Sequence, residues 1–148
     1  MSKFDLETVL GNAERAGPHE LPLGSLDELH AAARSLGFPL AHVDLAQARD
    51  KDDLLAALAI ALKLPEWFGH NWDALTDCLC DLSWKPAPGY LIFIEGHDPL
   101  RAAHPGDFDT LIEIFAETSN YWREEDIPFW ALLTPPADGK PLLPSIEA

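Results

Sequence analysis

YLIFI, the segment Tyr90–Ile94, is an unbroken apolar run that follows a loop containing Pro86, Pro88 and Gly89. A short apolar run after such a loop is typical of a strand that is buried on both faces of a sheet. FWALLT, the segment Phe129–Thr134, has the same character. These two segments predict neighbouring strands at the centre of the fold.

The segment between these strands has the spacing of a helix. Its apolar residues Phe108, Leu111, Ile112 and Phe115 recur with a 3.6-residue period, and the pattern runs on towards Trp122. A strand, a helix and a second strand in this order predict a parallel pair joined by a right-handed crossover.

A third strand and a further helix are predicted upstream. FPLAHVDL, Phe38–Leu45, is short and mostly apolar, and Asp50 is placed to cap a helix that ends before Pro65. That helix carries apolar residues at helical spacing, namely Leu54, Leu55, Leu58, Ala59 and Leu62. The sequence therefore predicts an α/β fold in which a small three-stranded parallel sheet is packed with helices.

Two short helices are predicted in the N-terminal part of the chain. The first spans Phe4–Arg15 and is stopped by a Gly-Pro pair. The second begins with a capping box formed by Ser25 and Glu28 and ends at Gly37.

These boundaries divide the chain into three regions. Residues 1–39 form an N-terminal helical extension, which we expect to pack its apolar stripes on the domain, and residues 40–134 form the α/β domain. Residues 135–148, PPADGKPLLPSIEA, have proline punctuation and no periodicity, so they predict a loosely held tail.

The charge of the chain favours a basic partner. It has 25 acidic and 10 basic residues, a formal net charge of −15. Such a charge repels phosphate backbones and anionic lipid headgroups, so we expect neither nucleic-acid nor membrane binding. The same field attracts a basic protein.

The cysteines and the hydropathy pattern indicate a cytoplasmic protein. Cys78 and Cys80 stand two apart, so on a helix they point in different directions, and they are too few for a four-cysteine zinc site. We interpret both as reduced thiols without a redox role. No apolar run reaches the length of a membrane helix, and the first residues do not resemble a signal peptide.

A line of carboxylates marks the next predicted helix. This helix begins at Asn71, a good N-cap, and buries a stripe formed by Trp72, Leu75, Leu79 and Leu82. On another face, Asp73, Asp77 and Asp81 fall at i, i+4 and i+8, flanked by Thr76 and Cys80. Like charges at this spacing oppose the helix, which indicates a functional reason for them.

Two aromatic residues precede this helix. Trp67 and Phe68 stand beside Gly69 in a loop that follows a proline. Aromatic residues beside charge are typical of interfaces, although either ring is equally explained by core packing.

LPEWFGHNWDALTDCL, the segment Leu64–Leu79, resembles the barstar family's LPEYYGENLDALWDCL, with eleven of 16 positions identical. The order of strands and helices also agrees, so the resemblance covers roughly residues 40–134. It implies an intracellular inhibitor, without enzymatic activity or cofactor, that blocks the cationic active site of a ribonuclease with this loop and helix.

The resemblance also implies roles for individual residues. Asp77 would be the central carboxylate that mimics a phosphate, Asp73 a second anchor, and Trp67 the replacement of an interfacial tyrosine. IFAE, Ile114–Glu117, resembles the family's VFRE and makes Glu117 a peripheral acidic contact. The candidate partner-binding residues are Trp67, Phe68, Gly69, Asn71, Trp72, Asp73, Thr76, Asp77, Cys80, Asp81 and Glu117.

Two departures from the family pattern leave the partner open. His70 stands where the pattern has glutamate, and Thr76 where it has tryptophan. A basic partner that is not a ribonuclease is therefore an alternative. Two others are a metal site formed by His70, Asp73 and Asp77, and hydrolytic chemistry by paired carboxylates, for which no nucleophile motif is present.

Overall fold

Four parallel strands form one sheet, and helices cover both of its faces. The computed structural model describes residues 5–22 and 24–146. Its elements in chain order are α1 Leu6–Leu10, a 3-10 turn at Ala13–Arg15, β1 Pro18–Glu20, α2 Leu26–Leu36, β2 Leu40–Asp44, α3 Lys51–Leu62, α4 Trp72–Leu79, β3 Tyr90–Glu95, α5 Asp98–Ala103, α6 Pro105–Arg123 and β4 Phe129–Leu133.

The sheet has the strand order β1-β4-β3-β2, which corrects the prediction of three strands. The three predicted strands are confirmed, and β1 is the addition: Pro18 lies opposite Ala131, and Glu20 opposite Leu133. Three residues that begin with proline carry no strand periodicity, and the Gly-Pro pair indicates only the end of a helix. Proline is nevertheless tolerated at the first position of an edge strand. Here the pairing with β4, rather than the local sequence, makes these residues a strand.

The two faces of the sheet are buried against different parts of the chain. Alternate residues of the central strands point to opposite faces, and all five residues of β4 are buried. One face packs on α3, α4 and α6 through residues such as Leu58, Leu79 and Phe115. The other packs on α1 and α2 through residues such as Leu10 and Leu29.

Side chains of the central elements hold the N-terminal extension. Trp130 of β4 donates its indole N–H to the carbonyl of Leu10 at 2.9 Å. Arg123 at the end of α6 donates to the carbonyls of Ala13 and Ala16 at 3.2 and 3.0 Å. The extension therefore completes the second face of the sheet and adds the fourth strand.

The helix ends follow the sequence signals in most places. The side chain of Asp50 accepts a hydrogen bond from the Asp53 amide at 2.9 Å, and Gly37 ends α2 in the left-handed conformation, both as predicted. The capping box at Ser25 is wrong, because its side chain makes no capping hydrogen bond and its ψ of 4° is not extended. Phe4, where the first helix was predicted to begin, lies outside the described residues. Within residues 5–22 and 24–146, no helix has the length and apolarity to cross a membrane.

The C-terminal segment is held more closely than its composition suggests. The amides of Leu142 and Leu143 donate to the carboxylate of Glu20, and Ile146 is buried. These contacts differ from the loosely held tail that the proline-rich sequence predicts. Prolines remove amide donors and periodicity but leave the remaining amides free to pair with an edge strand.

Candidate protein-binding face

Helix α4 exposes two carboxylates. The Asn71 side chain caps the helix by accepting from the Ala74 amide at 2.8 Å, which fixes where the helix begins. Leu75 on one side is fully buried, whereas Asp73 and Asp77 on the other side are exposed, as predicted. Within the described chain, neither carboxylate forms an ion pair or a side-chain hydrogen bond.

Asp81 lies beyond the helix, which corrects the predicted stripe of three carboxylates. The helix ends at Leu79, and Leu82 adopts a positive φ of 48° that turns the chain away. Asp81 is exposed in this turn and accepts a hydrogen bond from the Ser83 hydroxyl at 3.0 Å. The negative dipole end of a helix disfavours a carboxylate, so the chain leaves the helix before this residue.

Helix α6 brings Glu117 towards this face. Trp122 of α6 donates its indole N–H to the carbonyl of Leu79 at 2.8 Å, which joins the two helices. Burial raises the pKa of the Cys80 thiol, a hydrogen bond with Thr118 opposes the rise, and the charges of Asp77 and Glu117 add to it. Glu117 is thus within electrostatic reach of the same half-buried thiol as Asp77.

The two aromatic residues of the loop before α4 differ in their exposure. Trp67 is 61% exposed, whereas Phe68 is 5% exposed and packs in the core. The Phe68 side chain is therefore not available to a partner, which corrects its place among the candidate contact residues. A loop between two helices directs neighbouring side chains in different directions, and only one of the two rings covers the core.

Trp84 is a residue of this face that the sequence reasoning missed. Its ring meets Trp67 edge to face, with centroids 6.1 Å apart, and it is half-buried. Its buried indole nitrogen has no hydrogen-bond partner. The sequence signal that could have identified Trp84 is its position as a tryptophan in the polar loop that follows the acidic helix.

The remaining candidate residues shape the backbone of the face. Asn71 donates its side-chain amide to the Gly69 carbonyl at 3.3 Å, which stabilises the loop. The Thr76 hydroxyl donates to the carbonyl of Trp72 at 3.2 Å, and both residues are half-buried. Only part of either side chain therefore reaches the surface.

The His70 ring packs on Phe68. Its Nδ1 lies 3.1 Å from the Phe68 carbonyl oxygen, and its ring centroid is 4.7 Å from that of Phe68. In the part of the chain that the structure describes, no three histidine, cysteine, aspartate or glutamate residues are grouped so that they could hold a metal ion. The alternative site of His70, Asp73 and Asp77 is thus not assembled in this conformation.

Together the sheet and its covering helices define a small α/β domain that exposes the carboxylates of α4 on its surface. The family model described as Barstar (barnase inhibitor) matches residues 38–134. The chain belongs to the barstar family.

A solved structure is similar to this chain in fold. The Aeropyrum pernix ORC2 protein, in its ADPNP-ADP complexes, aligns with a TM-score of 0.53 and 15% sequence identity. The alignment covers 84% of this chain and 36% of that one, so this chain spans little more than a third of the length of the ORC2 chain. At this identity the likeness concerns the fold alone. No curated protein matches the chain.

Proposed function

We propose that this protein inhibits a basic ribonuclease by placing α4 and the loop before it in the enzyme's phosphate-binding cleft. The observation that carries the proposal is the pair of exposed carboxylates, Asp73 and Asp77, without cationic partners in the described chain. Membership of the barstar family supports it.

The proposed chemistry is charge mimicry. A site that cleaves RNA must hold arginine and lysine around the phosphate, and a carboxylate accepts paired hydrogen bonds from a guanidinium group. Asp77 would take the central cation and Asp73 a second one. Glu117, across the Cys80 thiol, would extend the negative field towards the rim of the cleft.

The exposed tryptophan supplies apolar contact beside these charges. The Trp67 ring packs edge to face against Trp84. Its orientation is therefore already restrained, and the side chain loses little conformational freedom on binding. Aromatic residues at the centre of an interface commonly carry much of the binding energy. Trp67 would cover a base-binding surface of the enzyme while the carboxylates hold its cations.

An inhibition assay tests the proposal. The chain is titrated into a panel of basic ribonucleases that includes barnase, and cleavage of a fluorogenic RNA is followed. We expect stoichiometric inhibition of at least one enzyme, lost in an Asp73→Asn, Asp77→Asn double variant and retained in Glu14→Ala, which removes a carboxylate from the extension. Equal inhibition by the double variant and the unaltered chain would contradict the proposal.

A basic partner that is not a ribonuclease is the second candidate. It is favoured by the half-buried Thr76 and by His70, which is packed on Phe68, because both replace larger or charged residues of the family pattern. Cross-linking through Trp67 replaced by a photoreactive amino acid, followed by mass spectrometry in the native cell, distinguishes the two. A captured nuclease supports the first candidate, and another basic protein the second.

A further inference from the structure

The far edge of the sheet is occupied by the chain's own C-terminal segment. Glu20 of β1 donates its amide to the Pro144 carbonyl at 2.9 Å and accepts at its carbonyl from Ile146 at 2.8 Å. Ser145 lies beside Glu20 in parallel pairing. Pro144–Ile146 therefore lies parallel to β1 through a single β-bridge, at the edge opposite β2.

The Glu20 side chain completes the contact. Glu20 is 7% exposed, and its Oε2 accepts from the Leu142 and Leu143 amides at 2.5 and 2.7 Å. Ile146, 2% exposed, packs into the apolar cluster under α1 and α2. A buried carboxylate is costly unless hydrogen bonds satisfy it, so the Glu20 carboxylate depends on the two amides that this C-terminal segment supplies.

Both partners of this contact lie outside the family match, residues 38–134. The acidic helix is on another part of the molecule, and no residue of the proposed inhibitory face takes part. The contact is therefore made between the two segments that flank the family domain in this chain.

The linker to the C-terminal segment is loosely attached. Residues 137–141 are exposed, and the contact described there between the linker and the body of the protein is the Ala137 amide bond to Asp98 at 3.1 Å. A C-terminal segment that makes several specific contacts and is joined by a weakly held, proline-rich linker is suited to exchange between copies.

We propose that the groove along β1, formed by Glu20 and the Ile146 pocket, is a dimerisation site that receives Leu142–Ile146 from a second copy of this chain. Identical copies supply the same hydrogen bonds and the same isoleucine, so exchange conserves every contact. Each copy has a formal net charge of −15, so salt should promote the dimer by screening repulsion.

Complementation between two full-length variants tests this site. Glu20→Ala has an intact C-terminal segment and a damaged groove, whereas Ile146→Asp has an intact groove and a damaged C-terminal segment. In sedimentation experiments, each variant alone should dimerise at least tenfold more weakly than the unaltered chain. Their mixture should form a heterodimer through the single intact groove and C-terminal segment. No heterodimer in the mixture, or strong dimers of either variant alone, would overturn the proposal.

A measurement on the unaltered chain tests the exchange even if one of the variants does not fold. Isotopically light and heavy chains are mixed at high concentration and followed by native mass spectrometry, with near-ultraviolet circular dichroism as the check on variant folding. We expect mixed dimers that increase with salt. Exclusively monomeric protein at every concentration and salt would refute the exchange.

Discussion

Asp77 is exposed on α4 and does not stabilise the helix that carries it. One turn from Asp73, it adds a like-charge pair that costs about 0.2–0.5 kcal/mol, and alanine is the better helix former. Because the structure gives Asp77 no stabilising side-chain contact among the described residues, we expect Asp77→Ala to leave the free energy of unfolding unchanged or to raise it by up to about 1 kcal/mol.

The same substitution should greatly weaken binding. A cationic pocket left without its carboxylate costs about 2–5 kcal/mol, roughly a thirtyfold loss of affinity or more. Thermal unfolding and calorimetric titration with the identified ribonuclease, made on the same preparations, measure both quantities, with Glu14→Ala as the matched control. An unstable variant that still binds would make Asp77 a structural residue.

Gly89 is required by the ring that lies against it. A Cβ at this position would stand 2.4 Å from Cζ of Phe38. We expect Gly89→Ala to destabilise the protein by about 1–3 kcal/mol through overpacking. Urea unfolding measures this change in the free energy of unfolding. Adding Phe38→Leu to the Gly89→Ala variant should recover part of the lost stability.

Gly106 is the control for the loss at Gly89. It lies near the start of α6, and a Cβ there would meet nothing within 4 Å. Gly106→Ala should therefore be neutral or stabilising by up to about 1 kcal/mol. Equal losses at the two glycines would contradict the packing explanation.

At the scale of elements, α6 fastens the N-terminal extension to the sheet. Arg123 donates to two carbonyls of the turn before β1. We expect Arg123→Met to lower the free energy of unfolding by about 2 kcal/mol, because charged hydrogen bonds are lost while the apolar stem is kept. The exposed Arg34→Met is the control, and hydrogen exchange should locate faster exchange in α1 and β1. An unchanged exchange rate there would show that apolar packing alone holds the extension.

The elements that sequence patterns predicted are those with enough residues to display a period or an apolar run. Strands β2, β3 and β4, and helix α3 with its Asp50 cap, belong to this group. Strand β1 was missed because it is three residues long, and pairing with β4 rather than local preference makes it a strand. Ser25 was misjudged because its backbone conformation depends on the turn before it.

The candidate site was predictable to the same extent. The exposed side of α4 followed from helical spacing, which separates Asp73 and Asp77 from Leu75. Which ring of the Trp67 and Phe68 pair enters the core depends on the direction of the loop, and composition does not specify it. The approach of Glu117 to Cys80 arises from helix packing between distant segments, so spacing could not reveal it.

For the whole molecule, the net charge of −15 sets the rate of encounter with a basic protein. We expect association with the proposed ribonuclease to slow at least tenfold between low and high salt, because exposed charges are screened beyond about 8–10 Å at physiological ionic strength. Dissociation should change less. Stopped-flow measurement of the tryptophan fluorescence of the mixture follows both rates, and an association rate independent of salt would argue against a cationic target.

The pairing of the first strand with the last has a consequence for how the chain is made. Trp130 and Leu10, which share a hydrogen bond, are 120 residues apart along the chain. While the ribosome is still adding β4, the helices of the extension have no sheet on which to bury Leu10 and Leu29. Contacts of such high sequence separation form slowly, because the intervening loop must close before they are gained. Nascent chains would therefore expose this apolar surface until β4 has emerged from the ribosome and the extension can pack on the sheet.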